Sequence, residues 1–221
     1  MDESFPFDYF DKEAISFFKK LDKNNNRDWF QANKATYEAY VKGPGEAFCR
    51  EMVPILSQMT GVPHQSKIFR INRDVRFSKD KRPYKAYMHM LFRPQEERVN
   101  RPAWFFGIQP DGLFFGCGIM WMEKQALDSY RARVAGPEGE DLTKIMKSFQ
   151  KKGFRMREPQ LKRVPTQYGQ DHPHGALLRR KSLAAWIDYD TPDAALEMSF
   201  LKTCKSEYKK LKPLFDWCMD S

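Results

Sequence analysis

Residues 104–120 read WFFGIQPDGLFFGCGIM, two aromatic-rich apolar runs split by Pro110-Asp111-Gly112. Strand-forming residues on either side of such a turn signal predict a β-hairpin, with strands over 104–109 and 113–120. Upstream, residues 84–92 alternate, setting Tyr87, His89 and Leu91 opposite Met88, Met90 and Phe92. A period of two is the mark of a half-buried strand. Residues 69–77 alternate as well. Phe69, Ile71, Val75 and Phe77 share one side with Arg73, while Arg70, Asn72, Asp74 and Arg76 fall on the other. That pattern predicts a further strand with a polar face, closed by a loop at residues 78–81. The stretch 67–121 is therefore expected to be a mostly antiparallel sheet.

Outward from it the period becomes helical. Phe10, Ala14, Phe17, Phe18 and Leu21 give one apolar face, stopped by Asn24-Asn25-Asn26. Asn26 is placed to cap a second helix bearing Phe30, Tyr37 and Val41. Gly43-Pro44-Gly45 reads as a turn. A third helix with Phe48, Met52, Ile55 and Met59 should be kinked or delayed by Pro54 and ended by Gly61-Val62-Pro63. After the sheet, Leu127, Tyr130 and Val134 mark one helix, interrupted at Gly136-Pro137. Leu142, Ile145, Met146 and Phe149 mark the next, ending at Lys151-Lys152-Gly153. Short strands are expected at 154–157 and 184–189. A final helix from about Thr191 carries Phe200, Cys204, Tyr208 and Leu211 inward and breaks at Pro213. Helices segregated around an antiparallel sheet define an α+β fold, with N-terminal and C-terminal helices packed on the sheet. The expected organisation is one domain over residues 1–221: helical over 1–62, sheet-rich over 67–121, mixed helical over 122–221.

The composition narrows the function classes. Among 221 residues, 14% aromatic content argues for a packed core. The longest apolar run is broken at Gln109-Pro110-Asp111, too short to span a bilayer, so no membrane partner is expected. The first residues are acidic and lack the order of a signal peptide. Cys49, Cys117, Cys204 and Cys218 are far apart, so they read as small buried hydrophobes rather than a zinc or disulfide framework. These features predict a cytoplasmic protein with no cofactor or metal; oligomeric state is open.

Net charge is +9, and it is concentrated. Across residues 67–85 the bases Lys67, Arg70, Arg73, Arg76, Lys79, Lys81, Arg82 and Lys85 face only Asp74 and Asp80, a local excess of +6. Lys151, Lys152, Arg155, Arg157, Lys162 and Arg163 against Glu158 give +5, and Arg179-Arg180-Lys181 gives +3. The rest of the chain is slightly acidic. Arginines at alternate positions present paired donors to one side, a geometry suited to phosphate or carboxylate.

The string Arg73-Asp74-Val75-Arg76-Phe77-Ser78-Lys79-Asp80-Lys81-Arg82-Pro83-Tyr84-Lys85 resembles the signature of the domain of unknown function 2461 family, an uncharacterised bacterial and fungal family. Three further stretches are similar to it: residues 24–30, the hairpin ending Gly116-Cys117-Gly118, and residues 161–165 with Asp171-His172-Pro173 and 177–181. The resemblance implies one domain over nearly the whole chain and supplies no activity. Arg82 departs from it, standing where a small or hydroxyl residue is expected.

Two functional readings stand. In the first, Arg70, Arg73, Arg76, Lys79, Lys81, Lys85 and Lys181 hold an anionic or phosphorylated small molecule, and Asp74, Tyr84 or His172 transfers a proton. In the second, the three basic segments merge into a nucleic-acid-binding stripe. A scaffold for an acidic protein partner is a third, blander reading. Trp104, Phe105, Phe106, Phe114 and Phe115 read chiefly as core, with base stacking as the alternative. Glycine fingerprints for dinucleotides or phosphate loops and a nucleophile elbow are absent from the sequence.

Overall fold

The computed structural model describes residues 6–96 and 101–220; the acidic residues Asp2 and Glu3 lie outside them. Its centre is a six-stranded antiparallel sheet in the order β1-β2-β3-β4-β6-β5, with β1 His64–Ile68, β2 Met88–Pro94, β3 Ala103–Gln109, β4 Gly112–Ile119, β5 Arg155–Met156 and β6 Leu183–Tyr189. The fold is α+β. The predicted hairpin is β3–β4, with Gln109 paired to Gly112 across Pro110-Asp111. Gly112 is required by crowding: a Cβ there would stand 2.4 Å from the Tyr189 carbonyl oxygen.

The helices are α1 Lys12–Lys23, α2 Arg27–Ala32, α3 Lys34–Tyr37, α4 Gly43–Thr60, α5 Lys124–Ala135, α6 Glu138–Lys151, α7 Gly175–Leu178 and α8 Phe200–Met219. The Asp11 carboxylate caps α1 by accepting from Glu13 N–H, and the Asn26 amide oxygen caps α2 by accepting from Trp29 N–H at 2.9 Å. Three helical expectations need correction. Gly43-Pro44-Gly45 is no turn: a π-helical turn at Glu38–Lys42 feeds straight into α4. Pro44 is the second residue of α4, directly after that π-helical turn. Gly45 lets the helix approach the sheet, since a Cβ would meet Met88 Sδ at 2.8 Å. Pro54 does not delay α4, which begins at Gly43, and Pro213 does not break α8. Both prolines are exposed, and beyond Pro213 the side chains Leu214, Phe215, Trp217 and Cys218 are all buried. Burying four such groups outweighs the ~3 kcal/mol that an interior proline costs. The chain after Thr191 makes a short 3-10 turn, Asp193–Leu196, before α8 begins at Phe200.

Alternation decides the two faces of the sheet. Met90, Phe106 and Phe115 lie in register on one face, beside Phe92, Trp104 and Cys117. There α4 and α8 pack: Phe48 meets Phe106 at 4.9 Å, Phe200 meets Phe106 at 5.7 Å, and Trp104 stacks on Phe215 at 4.6 Å. Phe10, from the segment before α1, joins the same cluster through Phe48 and Phe200. All four cysteines are buried. No helix among the described residues is long and apolar enough to cross a membrane.

The strand predicted over 69–77 does not form. The edge strand β1 lies earlier, at His64–Ile68, and the chain then leaves the sheet until β2 begins at Met88. Within this excursion only Ile71 of the alternating apolar residues is buried, and Phe77 is 97% exposed. The pattern is periodic, but among the described residues its pairing is confined to an isolated antiparallel bridge between Asn72 and Tyr84, too little to build a strand.

Candidate functional site

The excursion from 69 to 87 is held in a defined shape despite lacking a strand. Its two arms pair through Arg73 N–H to the Pro83 carbonyl and Lys85 N–H to the Ile71 carbonyl, both at 2.8 Å. Asn25, from the turn between α1 and α2, clamps it from outside. The Asn25 side chain donates to the Tyr84 carbonyl and accepts from Tyr84 N–H, each at 3.0 Å. The Tyr84 ring is buried and stacks on Phe30 with centroids 4.2 Å apart. The asparagine run that stops α1 thus positions the basic loop, a role the sequence reading of capping did not contain.

The loop's charges are arranged unevenly. Asp74 is chelated by Arg76, through Nε at 3.0 Å and Nη2 at 2.6 Å, and that pairing pulls its carboxyl below the usual range. Asp80 takes both Arg82 and Arg73 and is held far below the ordinary carboxylate value by them. Arg82 also reaches Asp22 on α1 at 2.8 Å. Lys81 donates to the Val75 carbonyl at 3.0 Å. Lys85 differs. Its ammonium bonds the Arg70 carbonyl at 2.9 Å, and burial followed by the nearby Arg70 and Arg73 lowers its affinity for a proton. Lys85 thus bonds a carbonyl and feels two like charges, whereas Arg73, Arg76 and Arg82 have carboxylate partners.

A cleft of about 440 Å³ opens beside it. Asn25, Arg73, Arg82, Lys85, Tyr87 and Gln109 are among its walls, with Asp22, Asp80 and Asp111 also present. Of the residues singled out from the sequence, Arg73, Tyr84 and Lys85 meet at this cleft. Arg70 adjoins it through Lys85. Arg76, Asp74, Lys79 and Lys81 belong to the outer part of the loop, where all four are exposed.

His172 and Lys181 stand elsewhere. The His172 Nδ1 accepts from His174 N–H at 3.1 Å, and His174 in turn meets Thr143 of α6 at 2.9 Å. Lys181 leads into β6, its N–H bonded to Gln160. Arg180 donates to the Arg157 carbonyl, so the second and third basic segments come together. They do so at the β5–β6 edge of the sheet, whereas the first basic segment lies at the β1–β2 edge. The merged stripe expected from the sequence is thus two cationic edges with a sheet between them.

A profile of a conserved hypothetical protein family, domain of unknown function 2461, matches residues 13–217. The chain belongs to that family. No curated protein matches the chain. The domain of unknown function 2461 profile spans α1 through most of α8, so both the clamp at Asn25 and the cleft lie inside the family region.

Proposed function

We propose that this protein binds an anionic, phosphate-bearing ligand in the cleft between the 69–87 excursion and the β3–β4 hairpin tip. Lys85, Arg70 and Arg73 supply the positive field; Asn25, Tyr87 and Gln109 supply neutral polar groups. The observation that carries this reading is Lys85, part-buried between two arginines and bonded to a carbonyl rather than a carboxylate. A charge in that setting gains from an incoming anion because like charges and desolvation disfavour it when the cleft is empty. Asp80 tempers the field but leaves Lys85 and Arg70 available.

The reading is one of binding. Asp74 has both carboxylate oxygens on Arg76, the Tyr84 ring is packed on Phe30, and His172 is engaged beside α6. Titration calorimetry with inorganic pyrophosphate and nucleoside monophosphates tests it. Lys85→Ala and Arg70→Ala should each weaken binding about tenfold, in keeping with charge-assisted hydrogen bonds. Arg76→Ala should leave affinity unchanged. Equal affinity for wild type and Lys85→Ala, or absence of binding by all these compounds, overturns the proposal.

A further inference from the structure

The sheet face opposite the helical layer carries a second arrangement, built from aromatic rings over glycines. By register His89, Gly107, Phe114 and Asp188 follow one another across β2, β3, β4 and β6. Two residues further along β3, Phe105, Gly116, Trp186 and Arg155 do the same across β3, β4, β6 and β5. The Phe114 ring fills the space of a side chain at position 107: a Cβ on Gly107 would stand 2.1 Å from its Cε1. Trp186 fills the space above Gly116 in the same way, at 2.5 Å. His89 meets Phe114 at 5.1 Å between centroids, and Phe105 lies beside Trp186 at 6.4 Å with planes 26° apart. Arg155 roofs Trp186 at 4.6 Å and is itself paired to Asp188, so Trp186 is buried. Among the described residues no cation roofs Phe105 or Phe114 in this way, and both stay half-buried.

We propose that this open face binds single-stranded nucleic acid, with unpaired bases stacking on Phe114 and Phe105 and phosphates meeting the cations along its edges. Aromatic rings on an antiparallel sheet form stacking platforms for bases whose faces are free, and duplex bases offer no such faces. The two rings start from positions two residues apart in register, roughly 6.8 Å along the strands, which suits successive nucleotides of an extended strand. Charge complementarity selects nucleic acid over an apolar protein partner. Lys67 and Arg93 are exposed and project from the same face as Leu91, and Arg70 and Lys85 stand at the β1–β2 side. Arg155 and Arg157 stand at the other edge, with Asp188 already paired. His89 presents a neutral imidazole at neutral pH, because burial and then Lys85 push its pKa down to about 4. Covering glycines explains why Phe114 and Trp186 lie across neighbouring strands. It does not explain why cations flank two unroofed rings.

The phosphate end of this strand uses the Lys85 cleft, so in that respect the inference rests on the reading above; the stacking platform stands apart from it. Fluorescence anisotropy with a labelled oligonucleotide of about ten nucleotides, single-stranded or as a blunt duplex, at low and moderate salt, gives the test. The single strand should bind more tightly than the duplex, with affinity falling as salt rises. Phe114→Leu and Phe105→Leu keep apolar cover on the sheet but lose the ring, and each should weaken single-strand binding about tenfold. Circular dichroism and thermal melting establish that both variants are folded. Pyrophosphate binding should be unaffected in both. Duplex binding as tight as single-strand binding, or unchanged affinity in folded Leu variants, overturns the platform even where pyrophosphate still binds. Single-strand binding lost in the Leu variants but unaltered by Lys85→Ala retains the platform and removes the cleft from the strand's path.

Discussion

Phe105 and Phe106 are neighbours on one strand, and Phe114 and Phe115 are neighbours on the next, yet each pair is divided between two environments. Phe106 and Phe115 are fully buried under Phe48, Phe200 and Tyr208. Phe105 and Phe114 stay half-buried on the face where rings cover glycines. The side chains are chemically identical, so the difference comes wholly from what the helices cover. An antiparallel sheet can be stabilised by one packed layer and keep its other face for water or a ligand. The apolar content of these strands exceeds what the helical layer alone consumes.

The sharpest way to break this comparison is truncation on the helical face. Phe106→Ala should cost about 3–5 kcal/mol in urea unfolding, a transfer loss plus an unfilled cavity. A much smaller loss would mean that the aromatic cluster is loosely packed. Next in size is Gly107→Ala, whose new methyl meets the Phe114 ring. It should destabilise by about 1–3 kcal/mol, and by clearly less in a Phe114→Ala background, where only His89 Cδ2, at 2.9 Å, still crowds the methyl. Additive losses would show that the ring does not occupy that space.

The open face should also carry a pH signature. His89 is held neutral in the fold, with a pKa of about 4 against an ordinary 6.5. As pH falls below 6.5 the unfolded chain takes up the proton first, so stability rises with pH between about 4 and 6.5. The span is about 1–2 kcal/mol for a part-exposed ring. Unfolding measured across that range should flatten in His89→Gln, and an unchanged slope would place the titration elsewhere. The smallest effect is expected for Phe105→Leu, about 1 kcal/mol or less in stability. A loss equal to that of Phe106→Ala would erase the distinction between the faces.

Much of this fold is legible in residue order because its signals are local. The β3–β4 hairpin, the Asn26 cap and the glycine endings at Gly61 and Gly153 are each fixed by a few adjacent residues. The missed features depend on distant partners. Residues 69–77 alternate as a strand would, but their outcome was decided by Asn25 and Phe30 capturing Tyr84. Pro54 looks like a kink or a late helix start, and Pro213 like a break, until the burial on either side of them is known. At the cleft, the charge excess marked the loop but not the division of labour within it. Carboxylates at Asp74 and Asp80 occupy most of the arginines, and only the folded geometry leaves Lys85 exposed to the field of its neighbours. The likewise long-range placement of Phe105 and Phe114 follows from parity along the strand, which sequence can give. Which parity the helices cover, it cannot.

The pairing of β6 with β4 has a consequence for assembly. Strands β2, β3 and β4 follow one another with short links, but residues 120–182 intervene before β6 can take its place. Closing so long a segment is entropically slow, while neighbouring strands meet early. The expected order of folding is the β2–β3–β4 meander first and β6 late. A chain interrupted between those stages displays an unpaired β4 edge bearing Phe115 and Cys117, a template for joining to another chain. Refolding yield should therefore fall with protein concentration, with α5 through α7 acting as the delay that keeps the edge open.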